Sequence, residues 1–126
     1  MITSPVTDFL IRVKNGYRAS RKSISAPKSK IKVALAQMLK KYDYISDFQV
    51  DEKTVTLNLS YDRRIPKITD ITLFSTPGRK IYSPASNLPW GKTSNSLIII
   101  STSKGLLSQR EAVKSHIGGE VIAEIY

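Results

Sequence analysis

The sequence predicts an α+β fold of two small packed domains, an N-terminal α-β-α-β-β unit and a C-terminal β-rich part with one short helix. Three observations carry that prediction. Apolar residues recur at helical spacing in two stretches before residue 43, and at a spacing of two from Thr54 to Tyr61. A charged, proline-broken segment, Asp62-Arg63-Arg64-Ile65-Pro66-Lys67, then interrupts the pattern. Beyond it the apolar runs are short and separated by Gly, Pro and Ser. A length of 126 residues suffices for one ordinary domain or two small ones. The charged segment sets the division at 1–64 and 65–126.

Residues 4–17 read as the first helix, with Ser4 as N-cap, Pro5 in the first turn and Gly16 as a stop. Val6, Phe9, Leu10 and Val13 make its apolar stripe. Residues 21–26 form a short link or strand ending at Pro27. The second helix runs over 28–42, with Ile31, Ala34, Leu35, Met38, Leu39 and Tyr42 on the core face. Ile45 to Val50 is a strand, Asp51-Glu52-Lys53 a turn, and Thr54 to Tyr61 a half-buried strand with Val55, Leu57, Leu59 and Tyr61 on one side. Past the linker at 62–67, strands are expected over Ile68–Phe74, Arg79–Ser83 and Leu97–Ile100. Pro77-Gly78 reads as a turn and 84–96 as a loop. Ser101 to Gly105 forms a polar loop. Ser108-Gln109-Arg110-Glu111 is a capping box that opens a short helix. Gly118-Gly119 is a tight turn, and Glu120 to Tyr126 closes the chain as a strand.

Composition removes several functional classes. There is no cysteine and one histidine, which leaves no disulfide, no thiolate metal site, no Cys nucleophile and no His-rich metal centre. No apolar run is longer than Leu97 to Ile100, which is far short of the roughly 20 residues of a membrane span. The N-terminus lacks the basic and apolar regions of a secretory signal. What remains is charge. Twenty Lys and Arg face ten Asp and Glu, for a net +10. Residues 1–41 carry ten basic residues against Asp8 alone, whereas residues 42–126 carry ten against nine. Such an excess favours a polyanionic partner.

Catalytic motifs fail one after another. Ser101-Thr102-Ser103-Lys104 fits S-x-x-K, but the S-D-N and K-T-G partners of that enzyme class are missing. Gly91-Lys92-Thr93 resembles the end of a P-loop, yet Ser86 stands where the pattern needs glycine. His116 has no carboxylate at an informative spacing, and the acidic residues are scattered. Binding fits better. Residues 101–105 combine three hydroxyls, Lys104 and Gly105 between a buried strand and a capped helix. Hydroxyls reach phosphate, ribose and base edges, lysine adds a point charge, and glycine admits a bulky ligand. Turn formation alone would also explain these residue types. Gly118 and Gly119 offer the same close approach, and Glu120 can accept from a base amino group. Tyr82, beside Arg79 and Lys80, suits base stacking or an ordinary sheet edge. Lys28 and Lys30 flank a helix start that suits an anion.

These residues also carry a resemblance. Ser101-Thr102-Ser103-Lys104-Gly105, then a helix, then Gly118-Gly119-Glu120-Val121 resembles the signature of the eighth protein of the small ribosomal subunit, bacterial type. Residues 8–16, 27–32 and 77–82 match that family as well, and the likeness spans the chain. It implies a non-enzymatic protein of two small α/β domains that binds small-subunit ribosomal RNA directly and early in assembly. By motif, Ser101, Thr102, Ser103, Lys104, Gly105, Gly118, Gly119, Glu120 and Tyr82 would grip an irregular internal loop of the central domain. Ser4, Arg12, Asn15, Lys28, Ser29 and Lys30 would touch neighbouring RNA helices. Partners would be that RNA and neighbouring small-subunit proteins, with no membrane, no small-molecule substrate, no metal and no cofactor. The location would be the cytoplasmic ribosome or that of an organelle. A generic nucleic-acid-binding or chaperone module is the alternative. Two positions depart from the family pattern: Asp43 stands where a glycine commonly ends the second helix, and 90–96 replaces a glycine-rich segment.

Overall fold

A computed structural model describes residues 3–75, 78–89 and 96–126, residues 3–5 by backbone alone. The chain forms two compact units, residues 8–69 and residues 70–126 together with 1–7. The helix-rich part precedes the strand-rich part, which has one short helix, as the sequence predicts.

Helix α1 spans Thr3–Arg18. Ser4 is therefore already inside the helix rather than at its cap, and Gly16 does not end it. A Cβ on Gly16 would press within 2.5 Å of Ile24 Cγ2, so the absence of a side chain lets the helix lie close to the next strand. That strand is β1, Ser23–Pro27, which buries Ile24 and Ala26 and exposes alternate residues. Helix α2, Lys30–Lys41, starts two residues later than expected because Ser29 is its N-cap, accepting from the Lys32 N–H at 3.3 Å. It buries Leu35, Ala36, Met38 and Leu39, while Ile31, Ala34 and Tyr42 stay half-buried.

Strands β2, Ile45–Val50, and β3, Thr54–Leu59, form a hairpin, and the sheet order is β1-β3-β2, antiparallel throughout. In β3 the alternation read from the sequence is observed, with Val55, Leu57 and Leu59 buried. The Asp51 carboxylate closes the hairpin by accepting from the Lys53 and Thr54 N–H groups at 2.9 and 2.7 Å and from the Thr54 hydroxyl at 2.8 Å. Tyr17 pins three element ends at once: its hydroxyl donates to the Tyr44 carbonyl and accepts from the Ser60 N–H at 2.9 Å. Burial raises the Tyr17 phenol above its ordinary pKa and keeps it a donor.

The segment 62–67 is not a linker. Tyr61–Asp62 (β4) and Ile65–Pro66 (β5) pair as a two-stranded antiparallel ladder. Arg63 and Arg64 form its tip at φ 51° and 71°. Positive φ at both central residues is the mark of a type I′ hairpin turn.

The other unit is built on strand β10, Gly119–Ile125, which lies between several partners. On one side it pairs with β6, Ile71–Leu73, and β7, Tyr82–Ser83. On the other it pairs with β8, Leu97–Thr102, which in turn pairs with β9, Gly105–Ser108. The register of β10 against β8 shifts between Val121 and Ala123. Ser75, fully buried, stabilises that point: its hydroxyl donates to the Val121 carbonyl at 2.6 Å and accepts from the Ile81 N–H at 2.9 Å. Leu88, Ile98, Ile100, Ala112 and Val121 make a core cluster here, with Phe74, Ile81 and Leu107 against it. Helix α3, Gln109–Lys114, opens with the predicted capping box, Ser108 and Glu111 exchanging hydrogen bonds of 3.2 Å.

Among the described residues the α-helices α1, α2 and α3 end alike. Past α1, α2 and α3 the residues Ser20, Asp43 and His116 adopt φ of 55°, 66° and 56°. In each case the next N–H returns to the carbonyl five residues back: Arg21 to Gly16, Tyr44 to Leu39, Ile117 to Ala112. This is the Schellman closure, here made without glycine. Among the described residues no helix is long and apolar enough to cross a membrane.

Candidate nucleic-acid interface

The candidate residues of the 70–126 unit come together through strand register. Tyr82 of β7 lies opposite Glu120 of β10, Glu120 lies opposite Ser101 of β8, and Ser101 lies opposite Leu106 of β9. Directly opposed residues of antiparallel strands project to one face. Tyr82, Glu120 and Ser101 therefore form one row across three strands. The neighbouring register row, Val121–Ile100–Leu107, turns to the core cluster instead.

Residues 101–105 are not a free loop, as the sequence suggested, but the end of a hairpin: β8 runs on to Thr102 and β9 begins at Gly105. Ser103 and Lys104 form the tip. Gly105 has φ +102°, and neither Ser103 nor Lys104 has positive φ. That places the left-handed residue third, as in a type I turn followed by a glycine bulge. The three hydroxyls divide in role. Thr102 Oγ1 accepts from the Lys104 N–H at 3.1 Å and donates to the Gly105 carbonyl at 2.8 Å, so it holds the turn. Ser103 and Lys104 are exposed and Ser101 is half-buried.

Gly118 and Gly119 do not form a left-handed turn, since Gly105 alone among the described glycines has positive φ. They serve close approach. A Cβ on Gly119 would collide with the Ser101 carbonyl oxygen, and one on Gly118 would meet the Ser83 carbonyl, Pro84 Cα at 2.7 Å and the Ala85 nitrogen at 2.9 Å. Without side chains, the start of β10 fits tightly between β7 and β8, beside the 101–105 hairpin.

Two side chains in the row differ sharply in exposure. Tyr82 is 68% exposed. Glu120 is 6% exposed, and its Oε2 is buried without a hydrogen-bond partner among the described residues. A buried carboxylate oxygen without a donor is costly, and a ligand N–H delivered there would relieve it. Glu120 is thus a recessed acceptor beneath an exposed ring rather than a surface one.

In the 8–69 unit the structure does not gather the other candidates into one site. Arg12 and Asn15 line a groove of about 660 Å³ between α1 and β1, together with Arg21, Ser23 and Ser25. Arg12 is oriented there by a 2.8 Å hydrogen bond from Nη1 to the Ser25 carbonyl. Lys28, Ser29 and Lys30 line a separate groove with Phe48, Val50 and Lys53. The helix start offers an anion fewer groups than expected: Ser29 Oγ takes the Lys32 N–H, and the Lys28 N–H donates to the Lys53 carbonyl at 2.9 Å. The Ser4 side chain, Pro77 and the segment Trp90–Asn95, with its Gly91-Lys92-Thr93, lie outside the described residues. Sequence reading passed over Arg21, whose groove contact follows from the chain reversal after α1. Among the described residues no group of three His, Asp or Glu is placed to hold a metal ion.

Known proteins resemble this chain along its length. Residues 4–126 match the profile of a family described as ribosomal protein S8. A protein of Oleidesulfovibrio alaskensis named small ribosomal subunit protein uS8 is 36% identical over 126 residues, covering all of both chains. A protein of the same name from Mycoplasmopsis pulmonis is 38% identical over 130 residues, covering 100% of this chain and 98% of the relative. A third, from Mesomycoplasma hyopneumoniae, is 37% identical over 128 residues, at 99% and 98% coverage.

Proposed function

Because the chain belongs to the ribosomal protein S8 family, we propose that it binds the central domain of small-subunit ribosomal RNA directly and supports assembly through the row Tyr82–Glu120–Ser101 and the hairpin tip beside it. Membership makes it a structural, non-enzymatic component of the small ribosomal subunit, at work in the ribosome among other ribosome components.

The observation that carries the proposal is the unsatisfied Glu120 oxygen set between an exposed aromatic ring and hydroxyls at a hairpin end. A splayed base stacked on Tyr82 presents amino groups toward Glu120. Ser101 and Ser103 reach ribose or phosphate oxygens, and Lys104 adds salt-dependent affinity. The Gly118-Gly119 step seats β10 tightly between β7 and β8 and so keeps Tyr82, Glu120 and Ser101 aligned for the RNA. Regular A-form helix offers no unstacked base for such a row, so the fitting target is an irregular internal loop. Arg12, Asn15, Lys28, Ser29, Lys30 and Ser4, in the domain read as 1–64, supply further contacts to neighbouring RNA helices.

The test compares a short RNA carrying the central-domain internal loop with a plain duplex of equal length. Lys104→Ala should reduce the slope of log affinity against log salt by about one unit. Equal wild-type affinity for loop and duplex would instead favour a generic nucleic-acid module.

A further inference from the structure

The β4–β5 hairpin combines a strained tip with an anchored base. At the base, the Tyr61 ring lies 5.4 Å from the Tyr17 ring, the Tyr61 hydroxyl donates to the Arg21 carbonyl at 2.6 Å, and the Lys67 N–H donates to the Ser60 carbonyl at 3.0 Å. At the tip, Asp62, Arg63, Arg64 and Ile65 are all exposed, Ile65 by 67%. Neither guanidinium has a hydrogen-bond or ion-pair partner among the described residues. Both arginines occupy left-handed backbone, at φ 51° and 71°, where glycine or asparagine is the undemanding choice. The two-residue turn requires positive φ at both positions, but not arginine, and two exposed, unpaired cations placed there at a cost in strain point to function.

We propose that Arg63 and Arg64 are an RNA-backbone clamp, a two-guanidinium finger that engages phosphates in addition to the contacts of residues 101–105. This deepens the RNA-binding reading above and rests on it. Each guanidinium presents a planar fork that matches a phosphate bidentately. The two forks stand on successive residues of one exposed turn, a spacing suited to neighbouring phosphates of one strand. A four-residue tip is far too small for a stable protein interface, which needs over a thousand Å². Phosphate contacts need only charge and geometry.

The experiment substitutes glycine at both positions (R63G/R64G) in the full chain and uses transcribed small-subunit RNA as the probe. Glycine relieves the backbone strain, so the variant should melt at or above the wild-type temperature and any loss of binding is not misfolding. Affinity should fall about tenfold at physiological salt, and the log–log salt slope should drop by about 1.4–1.8 units for two released phosphates. Unchanged affinity and slope would overturn the proposal. Lys104→Ala, measured alongside, separates the two ideas. If it weakens binding and the double variant does not, the clamp fails and the site at 101–105 stands. Loss only on particles carrying other subunit proteins, with naked RNA unaffected, would mark a protein contact and also overturn the clamp. A wild type that does not bind the transcribed RNA would remove both.

Discussion

Gly119 lies against the carbonyl oxygen of Ser101 so closely that the space admits no Cβ. The obstacle is backbone, which cannot swing aside as a side-chain end does. Gly119→Ala should therefore part β10 from β8, destabilising the protein by about 1–3 kcal/mol and weakening RNA binding. Gly78→Ala is the control, since nothing lies within 4 Å of its Cβ position. Urea titration of both variants checks this, and an unchanged Gly119→Ala midpoint would contradict the close fit.

Thr102 and Ser103 should separate stability from binding. The Thr102 hydroxyl bonds to both ends of the hairpin turn. Thr102→Val should lower stability by about 1 kcal/mol. Ser103 is exposed and makes no bond that holds the turn, so Ser103→Ala should leave the urea midpoint alone. Against the internal-loop RNA, that same change should cost about 1–3 kcal/mol of affinity if the hydroxyl is buried by the ligand. Reversed effects would exchange the roles of the two residues.

At the end of α2, Asp43 holds φ 66°. A left-handed L-residue costs roughly 1–2 kcal/mol that glycine avoids. Asp43→Gly should raise the melting temperature by a few degrees, read by calorimetry. A lower melting temperature would show that the Asp43 side chain contributes more than its backbone costs.

Acid should reach the β2–β3 turn through Asp51. The Lys53 N–H, then the Thr54 N–H and hydroxyl, hold its carboxyl below the usual aspartate pKa. A depressed folded pKa means the contribution is complete above the unfolded value, about 3.9, and is lost as pH falls through the folded one. The stability gap between wild type and Asp51→Ala should therefore be widest near neutrality and shrink below about pH 4. Urea midpoints measured from neutral to acid conditions test the trend, and a gap independent of pH would contradict it.

Much of this architecture is written in local periodicity. The alternation of Val55, Leu57 and Leu59 and the Ser108–Glu111 capping box both depend on neighbours in sequence, so both are legible there. The Arg63-Arg64 turn is not, because type I′ hairpins advertise themselves through Gly and Asn and this one uses neither. The helix ends at Ser20, Asp43 and His116 escape for the same reason. Gly118-Gly119 misleads in the opposite sense: two glycines spell a turn, whereas here they mark contact with strands that adjoin only in three dimensions. The row Tyr82–Glu120–Ser101 has residues far apart in the chain, and only the register of β10 aligns them. Its members were nameable from the sequence, but the burial of Glu120 and the turn-holding role of Thr102 were not.

The left-handed helix ends have a consequence for heritable change. Ser20, Asp43 and His116 are exposed, and each carries backbone tension that one substitution to glycine would release. A lineage moving to hotter surroundings thus has adjustments available that disturb no interior packing and none of the residues assigned to RNA.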